Sequence, residues 1–212
     1  MKRCLIVGAG EIEISRIVQP REEDYVIAAD GGFDALQDAG IVPHVWIGDM
    51  DSSKQSTCES AMLQQVQLVK LPREKDDTDM LAAIRIGLEQ GCREFLLYGS
   101  LGGRLDHTIA NIQCLLFLKE QGANGRLFGR NETIEVLKNE TRIYDADRTG
   151  MISVFALEGE AKGVTEKGLK YEIEDAVLTP TFPIGVSNEF VGCESQISVK
   201  EGTLLICTTE VV

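Results

Sequence analysis

The chain has 212 residues, a length that allows one large domain or two modest domains with a true hydrophobic core. Its hydrophobic fraction of 43% and charged fraction of 26% are ordinary for a soluble globular protein. The formal net charge of −13 argues against a nucleic-acid partner, because phosphates would repel the chain. No apolar segment approaches the length of a membrane span, so a membrane protein is not expected.

Six cysteines are scattered along the chain without a C-x-x-C pair, and only two histidines accompany them. This usage offers little for a zinc site and is typical of reduced thiols inside the cell. We therefore expect a cytoplasmic protein.

The first half of the chain alternates strand signals with helix signals. The apolar runs that predict strands are residues 4–7, 25–29, 45–47, 66–70, 94–97, 125–128 and 133–137. Helical patterns occur at residues 33–39, 54–64, 78–90 and 108–121. Such alternation predicts a Rossmann-like α/β domain whose mostly parallel sheet is covered on both faces.

The first predicted strand leads into Gly8-Ala9-Gly10. A G-x-G pair after a strand can approach a nucleotide, but the third glycine of a dinucleotide-binding loop is missing. We interpret this segment first as a turn.

Two acidic motifs follow the second and third predicted strands. Asp30 begins Asp-Gly-Gly, whereas Asp49 and Asp51 stand in Gly-Asp-Met-Asp-Ser. Ligands collect at the carboxyl ends of parallel strands, and clustered carboxylates there need a neutralising cation. Oxygen ligands point to Mg²⁺ or Mn²⁺, completed by substrate phosphates. The alternative is that both motifs are turns, since Asp, Gly and Ser favour turns.

A third acidic motif, Glu-Lys-Asp-Asp-Thr-Asp at residues 74–79, opens the helical pattern 78–90. Thr78 or Asp77 can cap that helix, and acidic residues suit its first turn. Capping thus explains one or two of these carboxylates and does not require three.

A glycine-rich segment at residues 99–103 lies between the predicted strand 94–97 and the next helix. Glycines there let backbone N–H groups approach an anion at the start of the helix, and Arg104 adds a charged donor. The segment predicts a phosphate-binding loop. The alternative for Arg104 is a surface ion pair with Asp106.

The pattern changes at about residue 139. The later part has little helical periodicity and contains short β-rich runs at residues 152–157, 168–173, 176–178, 196–199 and 203–208. This pattern is typical of a small antiparallel β-sandwich or barrel. We therefore predict two domains, 1–138 and 139–212, of which the second is small enough to lean on the first or on another copy of itself.

In order and spacing, the motifs at residues 30–32, 48–52, 74–79 and 102–107 resemble the signature of thiamine pyrophosphokinases. The resemblance implies transfer of a pyrophosphoryl group from ATP to the hydroxyethyl group of thiamine, giving thiamine diphosphate and AMP, with Mg²⁺ as cofactor. It also implies a catalytic α/β domain followed by a β-sandwich that binds thiamine and forms a homodimer.

The resemblance also implies roles for single residues. The implied metal ligands are Asp49, Asp51, Asp76 and Asp79. The implied ATP-binding residues are Asp30, Gly31, Lys75, Thr78, Gly102, Gly103 and Arg104. The implied catalytic residues are Asp51, Asp79, Arg104 and Asp106. Three of these carboxylates, Asp51, Asp79 and Asp106, are alternatives for accepting the hydroxyl proton.

In the second half, Ser187-Asn188 reads on its own as part of a polar turn. It is similar to the segment with which the family holds the aminopyrimidine of thiamine across the dimer interface, which makes both residues substrate-binding candidates. The sequence departs from some family members in having Trp46 as its single tryptophan. The candidates for an aromatic face against thiamine are therefore Tyr171, Phe182 and Phe190.

Three other functions stay open at this point. The same carboxylates could serve a pyrophosphokinase for another heteroaromatic alcohol, such as a hydroxymethylpterin, or a Mg²⁺-dependent phosphohydrolase. A sensor that binds thiamine diphosphate without turnover is the third. Ser187-Asn188 and the second domain favour thiamine, and the complete set of acidic motifs favours an active enzyme.

Overall fold

The computed structural model describes residues 1–48, 61–71 and 77–210. The chain forms two compact units, residues 1–130 and 131–212. The division lies before the predicted one because the strand Glu132–Lys138 pairs along its whole length with the strand Thr203–Thr209. A strand that the sequence analysis assigned to the first domain therefore belongs to the second unit.

The first unit contains a parallel sheet. Its strands are β1 (Arg3–Val7), β2 (Tyr25–Ala29), β3 (Val45–Gly48), β4 (Gln67–Lys70), β5 (Glu94–Tyr98) and β6 (Asn124–Phe128). They lie in the order β4-β3-β2-β1-β5-β6, and every neighbouring pair is parallel. The prediction of a Rossmann-like parallel sheet is confirmed. Since β1 lies between β2 and β5, the strand order reverses there, and the carboxyl ends of β1 and β5 flank a topological switch point.

The first unit has a short 3₁₀ helix, Ile14–Arg16, and three α-helices with defined bounds. The α-helices are α1 (Gly32–Asp38), α2 (Asp79–Glu89) and α3 (Leu105–Glu120). Helix α3 begins three residues earlier than predicted, which places Arg104 at its N-cap position. Most of the predicted helix 54–64 lies outside the described residues. In its described part, residues 61–63 are helical. Within the described ranges, no helix is both long and apolar enough to cross a membrane.

The core of the first unit forms because its central strands are apolar on both faces. Residues of β1, β2 and β5 are buried together with Phe33 of α1 and Trp46 of β3, whose rings stack with centroids 4.6 Å apart. Trp46 is therefore a core residue of the first unit. Its Nε1 donates a hydrogen bond to the carbonyl oxygen of Asp30 over 2.8 Å, which ties the core to the end of β2.

The second unit is built from antiparallel strands. They are β7 (Glu132–Lys138), β8 (Thr141–Tyr144), β9 (Met151–Ala156), β10 (Ala161–Lys167), β11 (Ile173–Leu178), β12 (Asn188–Glu189), β13 (Ser195–Ser198) and β14 (Thr203–Thr209). The order β12-β9-β14-β7 forms one layer and the order β11-β10-β13-β8 the other.

The two layers of the second unit share one core. Ile152 and Val154 of β9 and Ile206 of β14 pack with Val164 of β10 and Ile197 of β13. In β9, buried and partly buried residues alternate, as expected for a strand with one face in the core. The prediction of an antiparallel β-sandwich is confirmed.

The predicted β-rich run 168–173 is wrong as a strand. The chain turns there, because Gly168 adopts φ +69° and its N–H donates to the side chain of Glu172 over 2.6 Å. The strands of this region are β10 and β11, on either side of the turn.

Candidate active site

An open cleft of about 390 Å³ lies at the carboxyl ends of β1, β2 and β5, next to the first turns of α2 and α3. This is the switch point of the parallel sheet, where open α/β sheets bind ligands. Six residues that the sequence analysis placed at the ATP or metal site line the cleft: Asp30, Thr78, Asp79, Gly102, Gly103 and Arg104. Two other predicted residues, Gly31 and Asp106, are not among the lining residues.

The loops after β1 and β5 touch backbone to backbone. The N–H groups of Gly8 and Gly10 donate to the carbonyl oxygens of Tyr98 and Gly99 over 2.8 and 2.9 Å. A Cβ on Gly10 would lie 2.6 Å from the Gly99 oxygen, so only glycine fits there. Segment 8–10 is a bend that follows β1 and lines the cleft, so the alternative interpretation as a segment near a nucleotide stays a prediction. In the sequence, the sign of this role was that Gly-Ala-Gly directly follows the first strand. The pairing of β1 with β5 then places it beside the loop after β5.

The glycine-rich loop after β5 is held from helix α3. Asn111 donates through Nδ2 to the Ser100 carbonyl oxygen over 2.7 Å, and the Ser100 hydroxyl donates to the Leu97 carbonyl over 3.0 Å. Asn111 and Ser100 are buried and line the cleft. The sequence analysis missed Asn111, although it lies four residues after His107, and both line the cleft from α3.

Asp30 is fixed at the end of β2 by its backbone. It adopts φ +49°, and its N–H donates to the Ile47 carbonyl over 2.8 Å. Aspartate tolerates this left-handed conformation better than most residues do. A Cβ on Gly48 would collide with the Asp30 carboxylate, which accounts for glycine at that position. Gly31 is exposed and lies beside Ala9.

The start of α2 brings two predicted residues into the cleft. Thr78 caps the helix by accepting a hydrogen bond from the Leu81 N–H over 3.1 Å, and Asp79 stands in the first turn. Asp77 instead forms an ion pair with Arg85 on the surface of the helix. Of the two residues that could have capped α2, Thr78 does so.

Much of the predicted metal site falls on residues whose structure is not described. These are Asp49, Asp51 and Asp76, and the predicted ATP-binding residue Lys75 also lies outside the described residues. In the described part of the chain, no group of three or more His, Cys, Asp or Glu side chains is arranged to hold a metal ion. Asp79 and Asp30 are the described carboxylates that line the cleft.

Arg104 and Asp106 form an ion pair at the start of α3. Nε of Arg104 donates to Oδ1 of Asp106 over 3.1 Å, and the two side chains are 73% and 61% exposed. The hydrogen bond from Arg104 lowers the pKa of the Asp106 carboxyl and raises the pKa of the guanidinium. A lowered pKa makes Asp106 a weaker proton acceptor. Water screens so exposed a pair, so a multiply charged anion in the cleft can compete for Arg104.

The two thiamine-binding candidates, Ser187 and Asn188, lie on the second unit and differ in their exposure to solvent. Ser187 is exposed, adopts φ +62° and donates its backbone N–H to the Ser153 hydroxyl over 3.0 Å. Asn188 is 6% exposed. Its Nδ2 donates to Glu166 and to the Tyr171 carbonyl, and its Oδ1 accepts from the N–H groups of Tyr171 and Glu189.

A cavity of about 130 Å³ adjoins this segment. It is lined by Glu166, Tyr171, Ile173, Leu178, Ile184, Gly185, Val186 and Asn188. Burial raises the pKa of Glu166, and the hydrogen bond from Asn188 offsets only part of that shift. Of the aromatic candidates, Tyr171 lines the cavity, Phe182 is 66% exposed, and Phe190 packs edge-on against Tyr144. Sequence reasoning missed Glu166.

Two family models match the chain. One, described as "Thiamin pyrophosphokinase, catalytic domain", matches residues 20–125. The other, described as "Thiamin pyrophosphokinase, vitamin B1 binding domain", matches residues 133–204. The two matches fall on either side of the division between the structural units.

Individual proteins are similar over most of their length. A thiamine pyrophosphokinase of Bacillus subtilis (strain 168) is 28% identical over 181 residues, which cover 85% of each protein. A crystal structure of thiamine pyrophosphokinase from Bacillus subtilis has a TM-score of 0.91 and 24% identity, covering 99% of this chain and 100% of that one. A thiamin pyrophosphokinase structure from Geobacillus thermodenitrificans has a TM-score of 0.83 and 27% identity, covering 100% and 98%.

Proposed function

The chain belongs to the thiamin pyrophosphokinase family, and we propose that it transfers the pyrophosphoryl group of ATP to the hydroxyl of thiamine, giving thiamine diphosphate and AMP. The observation that carries this proposal is the cleft at the switch point of the first unit. There a glycine-rich loop, a guanidinium and carboxylates converge, in the part of the chain that matches the catalytic model.

ATP binds in the cleft with its phosphates at the start of α3. Gly102 and Gly103 adopt φ +80° and +68°, conformations that let backbone N–H groups approach an anion. Arg104 adds a cationic donor, and the N-terminus of a 16-residue helix favours negative charge. Thr78 and Asp30 bound the cleft on its other sides.

Mg²⁺ is held by carboxylates of the same cleft. The donor set fits this metal, because Asp79 and Asp30 offer oxygen ligands beside the proposed phosphate site. The remaining proposed ligands are Asp49, Asp51 and Asp76. When bound, the metal neutralises charge on the phosphate oxygens.

The chemical step is an in-line attack of the thiamine hydroxyl on the β-phosphorus, with AMP as the leaving group. The protein contributes positioning and charge neutralisation, as is usual in phosphoryl-type transfer. Arg104 stabilises negative charge on the transferred group. Asp51, Asp79 or Asp106 accepts the hydroxyl proton.

Thiamine is bound by the second unit near Ser187, and two copies of the chain form a cytoplasmic homodimer. Support for self-association comes from large apolar side chains on the second unit that are more than half exposed: Ile143, Tyr171, Val177, Phe182, Ile184, Val186 and Val191. Three of them, Tyr171, Ile184 and Val186, line the same cavity, and adjacent exposed apolar groups are typical of an interaction surface.

The alternatives are less well supported. A pterin pyrophosphokinase or a phosphohydrolase gives no role to a second unit that matches a vitamin B1 binding model. A sensor without turnover leaves the carboxylates beside the phosphate loop without a purpose.

The test is to incubate the protein with ATP, Mg²⁺ and thiamine, leaving out each in turn, while AMP and thiamine diphosphate are measured. Both products are expected only in the complete mixture. Asp51→Asn removes one charge at nearly constant volume and is expected to abolish transfer, whereas Asp38→Asn, an exposed change at the end of α1, leaves it intact. Formation of AMP or ADP without thiamine diphosphate would reject the proposal.

A further inference from the structure

The side chain of Asn188 has no hydrogen-bonding capacity left for a ligand. An amide side chain offers two N–H donors and two acceptor lone pairs. Asn188 uses both donors, to Glu166 Oε2 over 2.9 Å and to the Tyr171 carbonyl over 2.7 Å. Both lone pairs accept backbone N–H groups, from Tyr171 over 3.0 Å and Glu189 over 2.9 Å. A ligand bonded to this side chain would first have to break one of these bonds.

Glu166 has the free capacity that Asn188 lacks. Its side chain is 4% exposed, and Oε2 is occupied by Asn188. In the part of the chain that the structure describes, Ser195 Oγ is the one fully buried side-chain polar atom without a partner. Oε1 of Glu166 makes no hydrogen bond with those residues either, and because it is not the fully buried atom without a partner, it must be partly accessible. The cavity that Glu166 lines provides the space next to Oε1.

The cavity suits one flat ring. Its volume of about 130 Å³ is well below the roughly 300–1,000 Å³ of pockets that enclose a whole drug-sized ligand. The walls are apolar, and Tyr171, Ile184 and Val186 at the rim are each more than half exposed, so the cavity is open to solvent. A single buried carboxylate in the lining of an apolar cavity selects a ring that carries an N–H donor.

We propose that Glu166 accepts a hydrogen bond from the exocyclic amino group on the pyrimidine ring of thiamine, and that Asn188 is a positioning residue that holds the Glu166 carboxylate. This inference rests on the proposed function, since it takes thiamine as the substrate. It moves direct recognition of the ring from Asn188 to the next-to-last residue of β10.

The orientation of the Asn188 amide determines how a glutamine at position 166 would be oriented. Because Asn188 presents an N–H group to Oε2, a glutamine at position 166 must place its carbonyl oxygen there and its NH₂ group toward the cavity. Glu166→Gln therefore replaces an acceptor in the cavity by a donor. The variant is expected to disfavour thiamine and to favour the analogue whose amino group is replaced by an oxo group.

The experiment measures kcat/KM for both compounds at saturating ATP, together with their Kd values by calorimetry. In Glu166→Gln, the preference for thiamine over the oxo analogue is expected to fall about 100-fold, roughly tenfold from each compound, as one hydrogen bond to a buried group implies. The KM for ATP stays within twofold. The matched control is Glu174→Gln, which removes the same charge from an exposed position of β11 and leaves the preference unchanged.

The outcomes separate this inference from the proposed function. An unchanged preference in folded Glu166→Gln, or a wild-type protein that binds both compounds equally, overturns the inference while thiamine transfer stands. A protein that binds thiamine with the expected preference but forms no thiamine diphosphate supports the inference and rejects the transfer.

Discussion

The cleft of the first unit and the cavity of the second are built in different ways. The cleft is made by loops at strand ends and by helix starts, so its groups follow one another in the sequence, as Gly102, Gly103 and Arg104 do. The cavity is made by side chains of separate segments, such as Glu166 of β10 and Asn188 of β12. Short sequence motifs are therefore enough to predict the first site, whereas the second can be identified only once the pairing of the strands is known.

The two sites also differ in how they hold charge. Arg104 in the cleft is 73% exposed and Glu166 in the cavity is 4% exposed. An exposed charge is hydrated in the free protein and contributes little to stability, whereas a buried carboxylate loses hydration when the chain folds. Substitutions at the cleft charge should thus affect activity alone, and substitutions at the cavity charge should affect both.

The largest effect is expected where the cleft depends on backbone contact. Gly99→Ala places a Cβ 2.5 Å from the Gly8 carbonyl oxygen at a residue with φ +60°. The free energy of unfolding should fall by about 2–4 kcal/mol, because left-handed strain adds to the collision. Gly91→Ala is the control, since φ is +80° there and no atom lies within 4 Å. Equal losses in urea unfolding would contradict the tight contact between the loops after β1 and β5.

The next effect concerns the side chain that holds the glycine-rich loop. Asn111→Ala leaves the buried Ser100 carbonyl without its partner, which should lower the free energy of unfolding by about 1–3 kcal/mol. The KM for ATP should rise several-fold and the KM for thiamine should not. Asn124→Ala, which loses one exposed contact with Lys119, serves as control. An unchanged KM for ATP would show that Asn111 does not position the phosphate loop.

A smaller effect on stability is expected from the titration of the buried Glu166 carboxyl as the pH changes. The raised pKa means that folded protein binds a proton at Glu166 more tightly than unfolded protein does. The stability from this group is therefore complete below the ordinary carboxyl pKa of about 4.3 and is lost as pH rises through the raised value. Glutamine does not titrate, so the melting temperature of Glu166→Gln minus that of wild type should increase from pH 4 to pH 7. A constant difference would contradict the burial of a titrating carboxyl.

The smallest effect on stability is expected at the exposed charge of the cleft. Arg104→Gln removes an ion pair with Asp106 that water already screens, so the melting temperature should not change measurably. The KM for ATP should rise at least tenfold, because a charged donor to the phosphates is lost. Arg148→Gln, an exposed change in the second unit, should leave KM unaltered. A normal KM for ATP in Arg104→Gln would place the triphosphate elsewhere.

The sequence was sufficient for the architecture and for the contiguous part of the candidate site. Alternating strand and helix patterns predicted the parallel sheet, and the glycines before Arg104 predicted a phosphate loop that lines the observed cleft. The contact of Asn111 with Ser100 could not be predicted in this way, because it joins residues 11 apart through the fold of a loop.

Glu166 shows why the second site was harder to predict. In β10 it lies two residues after the core residue Val164, and that spacing directs both side chains to the same face. This two-residue spacing could not be used, because no strand was predicted over residues 161–167. A β-rich run was predicted at 168–173 instead, where Gly168 turns the chain. Without a predicted strand around Glu166, nothing in the sequence placed this residue in the core, since most glutamates lie in solvent.

The most direct test of the account follows both terminal phosphates of ATP. With ATP carrying different isotopes in its β- and γ-phosphates, the account predicts thiamine diphosphate that contains both labels in equal amount, with one AMP for each product. Thiamine diphosphate that carries one label, or ADP as the nucleotide product, would contradict transfer of the pyrophosphoryl group as a unit.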